Sequence, residues 1–270
     1  MLINHFHVMR PGAKDKSNPE RGTIDQIRSI MDQLQMDRAV LFAPFLHDFK
    51  PEKVDYRYCN NWLVDLIKGD PRFVGFITLK PTEPDAPELL TEFADKGLVG
   101  IKFHPPVVEA AIDDPCLENF YGTAERLGLP ILVHTGVHDW YLEKYQPILL
   151  DKVARDFPNL NIIIEHMGGF EFFNEALAVV RNNPNCYAGI TGTLTKNEFD
   201  SCRLTPSQIK KPLMKSKRQI GPERMIYGTD YPGRDIARIQ TDLEIIDSWG
   251  LTPSERECIL GENLQRILPR

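Results

Sequence analysis

The sequence lacks the features of several specialised classes of protein. It has no apolar stretch close to the ~18 residues of a membrane span. Its first residues, MLINHFHVMR, lack the charged-then-apolar order of a secretory signal peptide. The five cysteines are odd in number, widely spaced and form no C-x-x-C pair, which excludes the pattern of a disulfide framework. We therefore expect reduced thiols and a cytoplasmic protein without a membrane partner.

The sequence also lacks an excess of positive charge. Lys and Arg number 32 against 38 Asp and Glu, a formal net charge of −6. A net negative chain is a poor ligand for nucleic acid or an anionic membrane, and the one basic cluster, Lys210–Arg218, fits a solvated helical face. We expect a small-molecule substrate and no nucleic acid, and the sequence leaves open a homodimer or higher homo-oligomer.

Length and hydropathy pattern together favour a single domain over residues 1–270. Short apolar runs alternate with segments of helical periodicity, such as Ile24–Leu34 and Leu149–Phe157. Several runs are continuously apolar, which is typical of parallel strands covered on both faces. The eight runs are Leu2–Val8, Ala39–Pro44, Phe73–Leu79, Val99–His104, Ile131–His134, Ile162–His166, Cys186–Ile190 and Met225–Thr229. They predict a (β/α)8 TIM barrel, with short helices in Pro253–Leu268 covering one end.

An open, doubly wound sheet is the structural alternative. Such a sheet normally has a Gly-rich phosphate turn after its first strand, whereas this first strand ends in His5-Phe6-His7 and a polar loop. Two long irregular segments, Met9–Gly22 and Thr191–Arg203, lie between a strand and the next helix. In a barrel, segments in that position build the active face, so we expect both to flank the site.

All seven histidines fall at the ends of predicted strands or in the loops just after them. Five are at strand ends (His5, His7, His104, His134 and His166), and His47 and His138 follow strands two and five. A single histidine is often a structural residue, but that interpretation does not explain all seven. Because the C-terminal strand ends of a barrel meet at one mouth, these imidazoles indicate metal ligands or acid–base groups.

His5 and His7 form the sharpest pair. A spacing of i, i+2 on a strand puts both side chains on one face, with Cβ atoms ~6–7 Å apart. Asp230 ends the eighth run, where it is either a turn residue or a carboxylate facing the two imidazoles. Glu165, beside His166, is predicted to point outward to the helices and to be structural.

At these residues the sequence resembles the amidohydrolase superfamily, in the amidohydrolase-related branch of aminocarboxymuconate-semialdehyde decarboxylase and lactone hydrolases. The similar segments span almost the whole chain. They are Asn4–His7, Gly100–Pro105, Leu132–Gly136, Glu165–Gly169, Tyr227–Pro232 and the closing Ile259–Leu268.

The resemblance implies a set of metal ligands and catalytic groups. His5, His7, His134 and Asp230 would bind a divalent ion, with Asp230 also moving a proton. His166 would bind a second ion or act on substrate and water. Imidazole and carboxylate donors suit Zn²⁺, and Mn²⁺ or Fe²⁺ stays open.

The chemical form of Lys102 determines whether the site holds one ion or two. It is either a carboxylated lysine bridging a second ion with His166, or an ammonium that holds a substrate carboxylate. We favour the ammonium and one Zn²⁺ per chain. His104 is either a substrate contact or structural. Arg10, Arg234 and Lys196, at strand ends or in loops, complete the candidate cations for a substrate acid.

The resemblance thus predicts a metal-dependent hydrolase that attacks a small, carboxylate-bearing carbonyl compound with metal-activated water. A nonoxidative decarboxylase of an unsaturated or aromatic acid is the alternative, because it would use the same ligands. A metal-binding scaffold without activity is the third interpretation.

Overall fold

The structure is a computed structural model that describes residues 1–194 and 220–269. Within them nine strands pair in parallel in one sheet. They are β1 (Leu2–His7), β2 (Arg38–Phe42), β3 (Phe73–Thr78), β4 (Ile101–Phe103), β5 (Ile131–His134), β6 (Ile162–Glu165), β7 (Cys186–Gly189), β8 (Met225–Ile226) and β9 (Gly228–Tyr231). The order is β8-β7-β6-β5-β4-β3-β2-β1-β9.

The two edge strands of that order are consecutive in the chain, separated by Tyr227 alone. β8 pairs with β7, and β9 pairs with β1, so together they fill the eighth strand position and close the sheet on itself. The predicted (β/α)8 TIM barrel is confirmed. The predicted eighth strand is split in two at Tyr227.

Helices follow most of the strands. They are α1 (Ile24–Gln33), α2 (Tyr56–Ile67), α3 (Ala86–Asp95), α4 (Pro105–Val108), α5 (Glu118–Leu127), α6 (Leu149–Asp156), α7 (Phe173–Asn182), α8 (Ile236–Asp247), α9 (Pro253–Glu257) and α10 (Asn263–Ile267). Side-chain caps define some starts: Thr23 accepts a hydrogen bond from the Gln26 backbone and Asp235 one from that of Arg238. Within the described ranges no helix is long and apolar enough to cross a bilayer.

The alternation of side chains along each strand separates two apolar clusters. Residues such as Ile101, Ile131 and Ile162 face outward and pack with helix residues. Their neighbours form a second cluster inside the barrel: Leu2, Val40, Phe42, Val74, Phe76, Leu132, Ile163, Tyr187 and Ile226. This interior cluster makes a packed floor below the strand ends.

The C-terminal helix α10 closes the N-terminal end of the barrel. Its Leu264 and Ile267, with Leu268, join the interior cluster beside Leu2. The Asn263 amide nitrogen donates to the carbonyl of Met225 over 2.8 Å. The prediction that the C-terminal helices cover one end of the barrel is confirmed. The opposite end, where the strands have their C-terminal ends, forms the open mouth.

Three features of the sequence lie wholly or mostly outside the described residues. They are Lys196, the basic cluster Lys210–Arg218 and all but the first residues of the segment Thr191–Arg203. The boundaries of a single domain over 1–270 stay a prediction.

Candidate metal centre

The first strand brings His5 and His7 together. The register of β1 shifts between Ile3 and Phe6, and His5 has the left-handed φ of 68°. This bulge reverses the alternation after Ile3, so that Phe6 packs in the outer cluster and His5 and His7 both turn to the interior. The two Nε2 atoms are 3.1 Å apart, so both imidazoles face the mouth, as the i, i+2 spacing predicts.

Asp230, on β9 beside β1, completes a trio of donors. Its Oδ1 is 3.2 Å from His5 Nε2 and 3.7 Å from His7 Nε2. Four donors held tetrahedrally at ~2.0–2.2 Å from Zn²⁺ would lie about 3.3–3.6 Å from one another. The three atoms therefore have nearly the spacing of three corners of such a site, and the residues present fit a divalent cation.

His166 lies beside this trio. One donor atom from each of His5, His166 and Asp230 lies within 4.8 Å of the other two. The His166 Nδ1 is 2.9 Å from the carbonyl oxygen of Thr191. Because a carbonyl only accepts, Nδ1 donates there and Nε2 keeps its lone pair for a cation or substrate.

Left-handed backbone recurs at the centre. His5, His166 and Asp230 have φ values of 68°, 62° and 59°, a region that non-glycine residues seldom adopt. Each of the three residues lies at or near the end of a strand. Its left-handed backbone points the side chain in a direction that the regular alternation of the strand would not give. Strained backbone of this kind concentrates at functional sites.

A second group of imidazoles lies next to the centre. The His134 ring stacks on that of His104 at 3.9 Å and is 4.8 Å from the His166 ring. His138 contacts His104 edge-on at 5.0 Å, and the Tyr145 hydroxyl holds its backbone by accepting from N and donating to O. The structure thus places His134, a predicted ligand, beside His166 and stacked on His104. The sequence predicted His138 only as one of the seven imidazoles near the mouth, without a role of its own.

Lys102 reaches into the centre from β4. Its Nζ is 3.4 Å from His5 Nε2 and 5.0 Å from the Phe42 ring. The side chain is buried, and burial lowers its pKa to about 8 against the opposing charges of Glu165 and Asp230. This placement suits both the ammonium and the carboxylated form considered above.

Glu165 corrects the sequence prediction. It does not face the helices: its side chain is fully buried, and Oε1 lies 3.2 Å from His5 Nδ1. Ile163, two residues earlier, belongs to the interior cluster, so alternation carries Glu165 inward. The strand then ends, and the left-handed turn at His166 brings that ring to the same mouth. The error came from treating both residues as part of one regular strand.

The two arginines proposed as substrate contacts have carboxylate partners inside the chain. Arg10 binds both oxygens of Glu52, at 2.8 and 3.0 Å, and packs over the Phe49 ring. Arg234 is buried, with Nη1 2.8 Å from Asp242 Oδ2. The sequence could not show these pairs, because Glu52 is distant from Arg10 in the chain and Asp242 lies eight residues beyond Arg234, within α8.

The protonation states of the centre suit a cation. Burial, reinforced by nearby positive groups, lowers the pKa of His7, His104 and His134 well below the ordinary imidazole value. Burial also lowers the pKa of His166, although Asp230 opposes it. Burial alone would raise the pKa of Asp230, but the hydrogen bond and charge of His5 hold it well below its usual range. Neutral imidazoles and an ionised carboxylate are the forms that bind metal.

The loop after β1 lies at the mouth as predicted. Met9 and Gly22 close its base through a 2.8 Å backbone hydrogen bond. Gly22 donates to the Tyr231 hydroxyl, and Arg21 donates to the carbonyl of Pro232. Met9–Gly22 therefore rests against the residues that directly follow Asp230.

Comparisons with known proteins agree with the fold and place the chain in a family. It is 23% identical to 4-sulfomuconolactone hydrolase of Hydrogenophaga intermedia over 97% of this chain and 86% of that protein. It is 25% identical to dihydroorotase of Helicobacter pylori over 57% of this chain, and spans only 48% of that protein's length.

Among solved structures, 5-carboxyvanillate decarboxylase of Sphingomonas paucimobilis has the same fold, with a TM-score of 0.71 at 16% identity over 99% of this chain and 98% of that one. The family model described as Amidohydrolase matches residues 5–270. Because that match extends over nearly the whole chain, the protein belongs to the amidohydrolase family.

Proposed function

We propose that this protein is a metal-dependent hydrolase that uses one divalent ion, Zn²⁺ by preference, to hydrolyse a small carbonyl compound bearing a carboxylate. The observation that carries the proposal is the 3.1–3.7 Å spacing of His5 Nε2, His7 Nε2 and Asp230 Oδ1. These residues would hold the ion, with His166 and His134 beside them. When bound, the ion supplies polarisation of a carbonyl and activation of water.

The chain's own residues would then move protons and orient the substrate. Asp230 is ionised, so it can accept a proton at a carboxylate oxygen and return it to the leaving group. His166 donates from Nδ1 to the carbonyl of Thr191, which leaves the Nε2 lone pair available to a substrate or water. Each of these groups is held by the strand end that carries it.

Lys102 supports a substrate with a carboxylate. Its ammonium is buried next to the centre, and a buried charge is costly unless an opposite charge meets it. Glu165 and Asp230 already supply opposing charge, and a substrate carboxylate would add a direct partner through a charge-assisted hydrogen bond. His104 lies beside the centre, stacked on His134. The other two candidate cations, Arg10 and Arg234, are already paired with Glu52 and Asp242. A carboxylated lactone is the first substrate class to test, because 4-sulfomuconolactone hydrolase aligns over 97% of the chain.

A nonoxidative decarboxylase is the second candidate. The same buried ammonium would hold a substrate carboxylate in this reaction, in which the C–CO₂ bond breaks and a proton from a protonated side chain of the centre replaces CO₂ on carbon. The ligand set does not separate the two reactions, so the products must.

Metal analysis and a substrate panel test both candidates. The panel comprises carboxylated lactones, amides, and aromatic or unsaturated dicarboxylic acids, with acid release and CO₂ release measured separately. We expect about one Zn²⁺ per chain and hydrolysis of a lactone. CO₂ release without hydrolysis would favour the decarboxylase, and two ions bridged at Lys102 would contradict a one-ion site. Bound metal without turnover on any substrate would favour the scaffold. His5→Ala, purified in parallel, controls for contaminating enzymes.

We also propose a small-molecule substrate as the principal partner and a cytoplasmic location. The net charge of −6 supports the absence of a nucleic-acid partner. Cys59, Cys116, Cys186 and Cys258 are free thiols, which suits a reducing compartment.

A further inference from the structure

Glu165 is a fully buried carboxylate that the proposed reaction does not use. It ends β6 with its side chain inside the barrel, and Oε1 lies 3.2 Å from His5 Nδ1. Among the described residues, neither of its oxygens has a well-aligned hydrogen bond. Burying a carboxylate without a hydrogen-bond partner is energetically costly, so the position of Glu165 against the His5 ring requires an explanation.

The two nitrogens of the His5 ring face different groups. Nε2 faces the centre, with His7 Nε2 at 3.1 Å, Asp230 Oδ1 at 3.2 Å and Lys102 Nζ at 3.4 Å. Nδ1 faces Glu165 alone among these groups. A neutral imidazole carries its proton on one nitrogen only, so a carboxylate at Nδ1 keeps the proton there and leaves the Nε2 lone pair to the centre.

We propose that Glu165 is a positioning residue that commits His5 to metal binding through Nε2. It would fix the tautomer and the ring orientation of His5 and add negative charge behind it, as carboxylates behind metal-bound imidazoles do. The inference rests on the proposed function, since it assumes a cation at His5 Nε2. Glu165 itself is not a ligand.

The neighbouring strand provides room for this carboxylate. Gly189 on β7 pairs with Glu165 on β6. A Cβ atom at Gly189 would lie 2.7 Å from Glu165 Oε2 and 2.9 Å from its Cα, closer than packed atoms allow. The absence of a side chain at Gly189 therefore lets the carboxylate sit inside the barrel, which is an observation independent of the distance to His5.

The test compares Glu165→Gln with the wild-type protein in three measurements. They are Zn²⁺ affinity by competition with a chromophoric chelator, the visible spectrum of the Co²⁺-loaded protein, and the Tm of the metal-free protein. We expect a 10–100-fold loss of Zn²⁺ affinity, an altered Co²⁺ spectrum, and a metal-free Tm close to the wild-type value, because removing a buried carboxylate offsets the loss of one of the charges that oppose Lys102. A merely structural role would lower the metal-free Tm and leave the affinity of the folded protein unchanged.

Two further variants complete the design. Ile163→Val alters the same face of β6 one layer below and should leave Zn²⁺ affinity unchanged. Glu165→Asp keeps the charge but shortens its reach, so it should also weaken binding, and it serves as the test should Glu165→Gln not fold. Affinity within twofold of wild type in a folded Glu165 variant would overturn the proposal. A wild-type chain that binds no Zn²⁺ would instead overturn the metal centre itself, and the two failures are distinguishable.

Discussion

The two ends of the barrel interior are built by the same strands and have opposite chemistry. At the floor, Leu132 and Ile163 pack in an apolar cluster that α10 covers. Two residues further along the same strands, the half-buried His134 and the buried Glu165 belong to a polar cluster at the mouth. Side chains two residues apart on a strand share a face. One strand therefore contributes first to the apolar floor, which stabilises the barrel, and then to the polar mouth. Position along the strand, rather than the choice of strand, therefore separates stability from function.

The two ends also differ in their backbone. At the floor the pairing is regular, whereas the mouth contains the bulge of β1 and the left-handed residues His5, His166 and Asp230. Groups arranged for chemistry are seldom arranged for stability. We therefore expect substitutions at the mouth to change metal binding and turnover, and substitutions at the floor to change the free energy of unfolding.

His5→Ala should have the largest effect. Three groups converge on its Nε2, so we expect turnover to fall to background and Zn²⁺ affinity to fall by more than the ~10²-fold of an outer-shell change. The metal-free Tm should stay near the wild-type value, because the apolar floor remains. Metal analysis and thermal unfolding measure both, and wild-type affinity in the variant would remove His5 from the centre.

Asp230→Asn should reduce turnover per bound metal by roughly 10²–10⁴, since the amide cannot accept the proton. Metal content should fall less than in His5→Ala, because the imidazoles remain. The acidic limb of the pH–rate profile reports the group that must be deprotonated and should weaken or vanish. Near-normal turnover in a metal-replete variant would leave Asp230 a ligand only and move the base to His166.

Arg234→Met tests whether a residue near the mouth is structural. Losing the arginine removes the buried positive charge that faces Asp242, so we expect a loss of about 3–5 kcal/mol in the free energy of unfolding. Adding Asp242→Leu removes the opposing buried carboxylate as well and should recover much of that stability. A raised KM with unchanged urea denaturation would show that Arg234 contacts the substrate.

Leu264→Ala tests the floor. The side chain is fully buried in the interior cluster, and its truncation should cost about 2–5 kcal/mol by leaving a cavity. Zn²⁺ affinity and turnover of the folded protein should match wild type. Weaker metal binding in a fully folded sample would mean that floor and mouth are coupled.

Glu52→Gln should have the smallest effect. Glu52 and Arg10 form an exposed pair at the rim, and such pairs contribute roughly 0.2–1 kcal/mol. The free energy of unfolding should therefore change by less than about 1 kcal/mol, with KM unaltered. A clear fall in KM would show that Glu52 competes with the substrate for Arg10.

The strands could be predicted closely because their signal is local. Ile131–His134 was placed residue for residue, and the other runs were placed to within a few residues. The interruption at Tyr227 could not be predicted, because it depends on β8 pairing with one neighbour and β9 with another. Pairing partners are distant in sequence, so no local pattern encodes the break.

The gathering of the candidate residues at the mouth was predicted more fully than their geometry, and their roles stay a prediction. The convergence of His5, His7 and Asp230 followed from strand ends that meet at one mouth. The inward turn of Glu165, the partner of Arg234 and the stacking of His134 on His104 did not, because each depends on contacts between separate elements.

By itself, the sequence determined the barrel, the end at which chemistry occurs and the residue types gathered there. Period-two alternation and parallel strand ends are consequences of covalent geometry, and they hold wherever eight such strands form. Only the tertiary structure decided which nitrogen of His5 faces the centre, which carboxylate lies behind it and which arginines are already paired. Those outcomes depend on a strand bulge, on left-handed turns at three residues and on space left by Gly189, which are set by packing between elements far apart in the chain.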